Sequence, residues 1–405
     1  MTSPTLLLLV ILAAFALYAL LSDVISRSIL TLPILFSGLG LALAEPVARH
    51  TDPALIDQGK RLLAEVTLIL ILFADASHVR FAKLRANWQL PARMLVIGMP
   101  LTVALGTAVA YWLDPTAGIA MALLTAAVLT PTDAALGQAI VTNHDLPLRL
   151  SQTINVESGL NDGLALPFVL LGATLASASA TDFDTGALAL DTLGQVVFGP
   201  LAGIAVGWIM ARATDIAQTR GWMGEAAGGI VFLSTSFASY LVAEHLGGNG
   251  FIAAFVAGMT FGNCYRHDIH FITEFMDDVG QLLTMAAFLV FGALLLPEGL
   301  AHVTPRVLLL SVLFLTLVRM VPIFVSLTGS GMRSGDKLFL GWFGPRGLAS
   351  ILFTLIILEE YNLSGAEDLL ACVTLTVGLS VILHGFTATP LARYIVGQNT
   401  ISNDR

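Results

Sequence analysis

Residues 156–163 (Val-Glu-Ser-Gly-Leu-Asn-Asp-Gly) place two carboxylates and an amide inside a stretch otherwise apolar enough to span a membrane. On a helix, Ser158 and Asp162 are four residues apart and share one face, while Glu157 and Asn161 share the face beside it. A charge near the bilayer centre costs about 2.5–3.5 kcal/mol on insertion scales, so each group needs a partner, a cavity or a proton. Hydroxyl, carboxylate and amide oxygens suit a hard cation such as Na⁺. A soft transition metal would draw on thiolate or imidazole, and neither lies nearby in sequence. Low dielectric penalises the charged form of a carboxylate, so Asp162 can hold a proton or a cation but is poorly placed to hold both. Competition of that kind becomes exchange when the site opens alternately to each side. A helix-packing hydrogen bond is the competing structural reading of Asp162.

The elements that must position these groups follow from composition. Of 405 residues, 56% are hydrophobic and 12% charged, against about 25% charged in a soluble domain. Long apolar runs recur to the C-terminus, so the fold class is an all-α polytopic membrane protein, not a soluble domain with one anchor. Runs of about 17–25 apolar residues predict about thirteen transmembrane helices, at 5–23, 28–44, 61–79, 93–113, 117–141, 150–175, 189–211, 222–244, 250–265, 278–297, 305–327, 338–358 and 368–392. The stretch from Thr5 to Ser22 reads as the first span and not as a signal peptide, because no Lys or Arg precedes it. Residues 176–188 are the predicted mid-chain linker.

Charge gives orientation and excludes some partners. With thirteen spans, thirteen of the nineteen Lys and Arg fall on one side and four on the other. The positive-inside rule then puts the N-terminus outside and the C-terminus in the cytoplasm, in the cell (inner) membrane. A net charge of −9 with no basic, aromatic-interleaved patch excludes a nucleic-acid partner. Cys264 and Cys372, far apart in apolar segments, read as buried small hydrophobes and not as a disulfide or metal site.

Polar residues inside the spans collect in the fifth, sixth, eleventh and twelfth. Thr130-Pro131-Thr132-Asp133 interrupts the fifth, and Gly344-Pro345-Arg346-Gly347 interrupts the twelfth. A proline kink would account for either break alone. Two breaks at matching places, each with an ionisable group, are the pattern of an inverted-repeat transporter, whose broken helices cross near the midplane and expose backbone carbonyls. Asp133 and the carbonyl freed at Thr132 would join Ser158 and Asp162 in an incomplete oxygen cage. Asp133 could instead cap the half-helix after the break, and Ser158 could be packing glue between helices. Glu157 and Arg346 each need a partner, and a structural ion pair between them is the economical reading. Arg319 is then a second stabilising charge or faces a water-filled vestibule. Gly199, Gly203 and Gly207 form a small-residue packing stripe. His384 reads as a polar packing residue and not a pH sensor.

With these residues in view, the chain resembles the monovalent cation:proton antiporters, in their NhaP-like CPA1 branch. The resemblance rests on Pro131-Thr132-Asp133, on residues 157–163, on residues 249–258, on residues 344–347, and on His384-Gly385-Phe386-Thr387 before Pro390. Leu72-Phe73-Ala74-Asp75-Ala76 is also similar to family members, which adds Asp75 to the candidate residues. The resemblance implies that Asp162 binds cation and proton, with Thr132 (through its backbone), Asp133 and Ser158 completing a Na⁺ site. It also implies that Glu157 pairs with Arg346 and that Asn161 steadies the crossing. One departure is Ala134, where many relatives have Pro.

What the resemblance implies about architecture is a homodimer. Residues 1–91 and 188–300 would form its interface, and 92–176 with 305–396 a moving six-helix core. Relatives with Asp at the position of Asn161 tend to be electrogenic, so Asn161-Asp162 implies electroneutral exchange. The expected function is exchange of Na⁺, and Li⁺ with it, for H⁺ across the lipid bilayer by alternating access, with no cofactor and no enzymatic reaction. K⁺/H⁺ exchange is the alternative within the family. A cation channel or a membrane sensor retaining the fold is the alternative from another class.

Overall fold

Apolar runs become helices here because backbone in lipid must satisfy its own amides and carbonyls. The computed structural model describes residues 4–26, 30–81, 88–133, 146–180, 185–224, 227–267 and 270–403, and among them there is no strand. The first half contains α1 (Pro4–Ser26), α2 (Leu32–His50), α3 (Pro53–His78), α4 (Gln89–Leu113), α5 (Gly118–Val128) and α6 (Leu148–Ala180). The second half begins with α7 (Thr185–Thr219), α8 (Ala227–His245), α9 (Gly250–Cys264) and α10 (His270–Val290, prolonged through a π turn to Ala301). It ends with α11 (Pro305–Ser326), α12 (Ser334–Trp342), α13 (Leu348–Glu360) and α14 (Ala366–Asn403).

Among the described residues, nine helices are long and apolar enough to cross a membrane. The other four expected spans depart from that standard for separate reasons. The apolar stretch of α3 carries Arg61, Glu65 and Asp75, and α9 is short. The fifth and twelfth are broken, as their prolines predict, into segments ending at Val128 and Trp342. Helices also run past their apolar runs where polar residues cap them. Helix α3 starts well before residue 61, because Asp52 accepts a hydrogen bond from the Ala54 amide at 3.0 Å and Pro53 has no amide hydrogen to lose. The linker expected at 176–188 is mostly helix, since α6 reaches Ala180 and α7 begins at Thr185. Hydropathy marks the apolar part of a helix and not its ends.

Two groups of helices follow the same plan. Broken α5 lies between continuous α4 and α6, and broken α12–α13 lies between α11 and α14. At one end of these groups Arg306, opening α11, clasps Asp114 ahead of α5 (2.7 Å) and Asp368 at the start of α14 (3.1 Å). A shared apolar core runs from Leu68 and Leu72 on α3 through Leu124, Val169 and Ile351 to Val373 on α14. Elsewhere α9 is held between α3 and α7. The glycine stripe of α7 is packing, as expected: Gly199 faces Asn249, which caps α9, and Gly203 and Gly207 face Ala253 and Ala257 of α9.

That contact generates a paired test. A methyl on Gly203 would lie 2.5 Å from the Ala253 carbonyl, whereas one on exposed Gly59 would meet nothing within 4 Å. Alanine favours helix over glycine by about 1 kcal/mol. Gly59→Ala should therefore hold or raise the melting temperature in detergent, and Gly203→Ala should lower it by several degrees. Equal shifts would contradict the packing described.

Candidate ion-binding site

Helix α5 ends at Val128 because Pro131 lacks an amide hydrogen and disfavours helical geometry at its predecessor. Residues 129–133 then run unwound, as do residues 343–347 between α12 and α13. Non-helical backbone at membrane depth must find its partners inside the protein. The two unwound stretches supply each other. The Asp133 amide donates to the Pro345 carbonyl at 2.8 Å, and the Leu348 amide donates to Asp133 Oδ2 at 2.8 Å. Ser350 Oγ donates to the Val128 carbonyl at 2.7 Å. Arg346 Nη1 donates to the Thr130 carbonyl and, at 3.1 Å, to that of Pro131.

The signs agree with the helix dipoles. The guanidinium of Arg346 sits at the C-terminal end of α5, and the carboxylate of Asp133 at the N-terminal end of α13. Asp133 therefore caps the helix across the crossing. The half-helix expected after the first break, and Ala134 with it, fall in residues 134–145, outside the described residues. Gly347 is required by this contact: a Cβ there would lie 2.0 Å from Asp133 Oδ2.

Helix α6 lies against the crossing and presents residues 157–162 to it. Ser158 Oγ donates to the Thr132 carbonyl at 2.5 Å, and Asn161 Nδ2 donates to Thr132 Oγ1. Thr132 Oγ1 in turn donates to Glu157 Oε2 at 3.4 Å. Glu157 is held by Arg319, whose Nη1 and Nη2 donate to its two oxygens at 2.7 and 2.9 Å. Both side chains of that pair are 3% exposed.

The expected pairing of Glu157 with Arg346 is thus corrected. Arg346 is committed to the carbonyls freed by the first break, and the eleventh span supplies the fork that matches the Glu157 carboxylate. Sequence reasoning required a cation for Glu157 but could not choose between two buried arginines. One signal was available: Arg346 stands inside a helix break, where free carbonyls compete for it, and Arg319 does not. The roles of Ser350 and of the Leu348 amide were missed, having no sequence signal beyond proximity to the break.

Asp162 is buried one turn beyond Ser158 on the same face. Its Oδ1 has no hydrogen-bond partner among the described residues, and neither does Asn161 Oδ1. Asp75, on α3, sits opposite Gly159, where an added Cβ would lie 3.8 Å from its own. The charges of Asp75, Asp133 and Glu157 all reach Asp162. Of these carboxylates, Glu157 is neutralised by an arginine and Asp133 is held by a helix end. Asp162 keeps a buried oxygen with no donor among the described residues, which is unusual for a native interior. The arrangement can take up a proton or a hard cation.

A family profile described as sodium/hydrogen exchanger, transmembrane, matches residues 9–394. The chain belongs to the sodium/hydrogen exchanger family. It is a multi-pass integral membrane protein. Among curated relatives it is 25% identical over 334 residues to the K⁺/H⁺ antiporter NhaP2 of Shewanella oneidensis, covering 82% of this chain and 57% of that one. It is 28% identical over 254 residues to the uncharacterised Na⁺/H⁺ exchanger YjcE of Escherichia coli, covering 59% of this chain and 43% of that one. The chain therefore spans less than two thirds of the length of these exchangers. Its fold matches the sodium proton antiporter MjNhaP1 of Methanocaldococcus jannaschii, with a TM-score of 0.78 at 20% identity, over 96% of this chain and 98% of that one.

The pairing of Glu157 can be tested by stability. Removing one partner of a buried ion pair costs about 3–5 kcal/mol, because a charge is left uncompensated. Arg319→Leu should lower the melting temperature sharply, and adding Glu157→Leu should restore most of it. Glu157→Leu combined with Arg346→Leu should show no such recovery. Recovery in the second pair and not in the first would mean that the carboxylate belongs to Arg346.

Proposed function

We propose that this exchanger is a secondary antiporter that trades Na⁺, and Li⁺ with it, for H⁺ in an electroneutral one-for-one cycle. The observation that supports it most is the buried oxygen of Asp162 that has no partner among the described residues, one helical turn beyond Ser158, which itself bonds to the Thr132 carbonyl. In this reading Asp162 loses its proton on one side and takes a cation, with Ser158, Thr132 and Asp133 supplying further oxygens directly or through water. Cation and proton compete for one charge, so neither returns with the other. The amide of Asn161 adds no second titrating group, which keeps the exchange to one charge each way.

The moving unit proposed is the six-helix core, residues 92–176 and 305–396, carrying the crossing past an interface domain, residues 1–91 and 188–300, that dimerises. Rigid motion suits a crossing whose two breaks satisfy each other, because the site can change the side it faces without unmaking those hydrogen bonds. Asp75, on α3, belongs to the proposed interface domain and would meet the cation from that side. The N-terminus is proposed to lie outside and the C-terminus in the cytoplasm, in the cell membrane. A second reading, K⁺/H⁺ exchange, is favoured by the name of the Shewanella relative. An oxygen cage fits either ion until its radius is measured.

The discriminating experiment is a cation panel of Na⁺, Li⁺ and K⁺ in proteoliposomes, with a pH-gradient dye across a range of pH. Na⁺ and Li⁺ should collapse the gradient with saturable kinetics, and K⁺ should do so weakly. Clamping the potential with K⁺ and valinomycin should leave the Na⁺ rate unchanged. Asp162→Asn should reduce exchange at least a hundredfold. Full activity in that variant would sink the proposal, and preference for K⁺ would select the second reading.

A further inference from the structure

The second helix break has a support that the exchange cycle does not itself invoke. His384 on α14 is 1% exposed, and its Nε2 lies 3.0 Å from the Trp342 carbonyl, at the last residue of α12. A carbonyl can only accept, so Nε2 carries the hydrogen. In the neutral ring Nδ1 is then an acceptor; of the two Ser380 oxygens that lie 3.1 Å from it, the carbonyl and Oγ, only the hydroxyl can donate to it. With its hydrogen committed to His384, Ser380 Oγ accepts from the Arg346 amide at 2.7 Å. One tautomer thus completes a chain from the end of α12, through His384 and Ser380, to the backbone of Arg346. Trp342 Nε1 adds a hydrogen bond to Thr387 Oγ1 at 3.0 Å, again on α14. Both sides of the break are therefore fastened to one helix.

We propose that Ser380 and His384 are positioning residues for transport: they set the path of residues 343–347 and so aim the Arg346 side chain at the Thr130 and Pro131 carbonyls. Through that side chain they fix the first break, next to the Thr132 carbonyl that faces α6. The Arg346 amide needs this help because Pro345 and the unwound backbone leave it no helical acceptor. The arrangement differs from ordinary packing of a polar residue between helices. Each hydrogen bond reaches a backbone group freed by the break, and each is directional.

This inference rests on the antiporter reading for its transport arm, so the test has a second arm that does not. Hydrogen–deuterium exchange over residues 343–347 and the apparent KM for Na⁺ are measured together in purified full-length protein. Ser380→Ala should speed exchange at these amides about fivefold or more and raise KM by a similar factor. His384→Leu should do the same. Ser380→Thr, which retains the hydroxyl, should restore both values. Thr376→Ala, one turn earlier on α14, removes a hydroxyl that donates to the Cys372 carbonyl of its own helix, and it should change neither. Unchanged amide exchange in Ser380→Ala would overturn the hydrogen-bond chain, whatever the protein transports. Faster exchange with an unchanged KM would overturn the positioning role. A wild-type protein that moved no cation would count against the antiporter reading alone, with the amide exchange still judging the network.

Discussion

The structure depends on one constraint: backbone that leaves the helix inside a membrane must be satisfied by protein. Pro131 and Pro345 each break a helix, and neither break could be tolerated alone in hydrocarbon. Together they cancel. The Asp133 amide meets the Pro345 carbonyl, the Asp133 carboxylate meets the Leu348 amide, and Arg346 meets the carbonyls of Thr130 and Pro131. Opposite charges sit on opposite helix ends, so the dipoles of α5 and α13 favour the same arrangement. Most of the candidate site is held by reference to this crossing.

The constraint also separates buried charges that look alike in sequence. Glu157 receives both arms of Arg319 and a hydroxyl from Thr132, so its charge is spent on holding α6 to α11 and to the first break. Asp133 is spent on the start of α13. Arg346 is spent on the end of α5. Of these carboxylates Asp162 remains, with an oxygen that no donor among the described residues reaches. Among the buried carboxylates Glu157, Asp133 and Asp162, satisfaction and not burial distinguishes the functional group from its structural neighbours.

Much of this was legible in the residues themselves. Long apolar runs announced the helices, and the two Gly/Pro-interrupted segments announced the breaks, because proline forbids the helical hydrogen bond whatever surrounds it. The four-residue spacing of Ser158 and Asp162 announced a shared face. Helix ends were less legible: α3 and α6 extend into polar sequence, where capping and not hydropathy decides. Partner choice was legible only through the helix break in which Arg346 stands. Arg319 and Arg346 are chemically identical, and only the positions of the freed carbonyls assign one to a carboxylate and the other to backbone. Asp133 illustrates the same limit: nothing in its sequence neighbourhood shows that it holds the start of a helix more than two hundred residues away.

The central claim is that one buried carboxylate, left open by a mutually satisfied crossing, holds either a proton or a cation. The most direct test is proton release on cation binding, measured by adding Na⁺ to purified protein in weakly buffered detergent with a pH indicator. The account predicts release of about one proton per chain at saturation, with loss of that release when Asp162 is replaced by Asn. Cation binding without proton release, or release that survives Asp162→Asn undiminished, would contradict it.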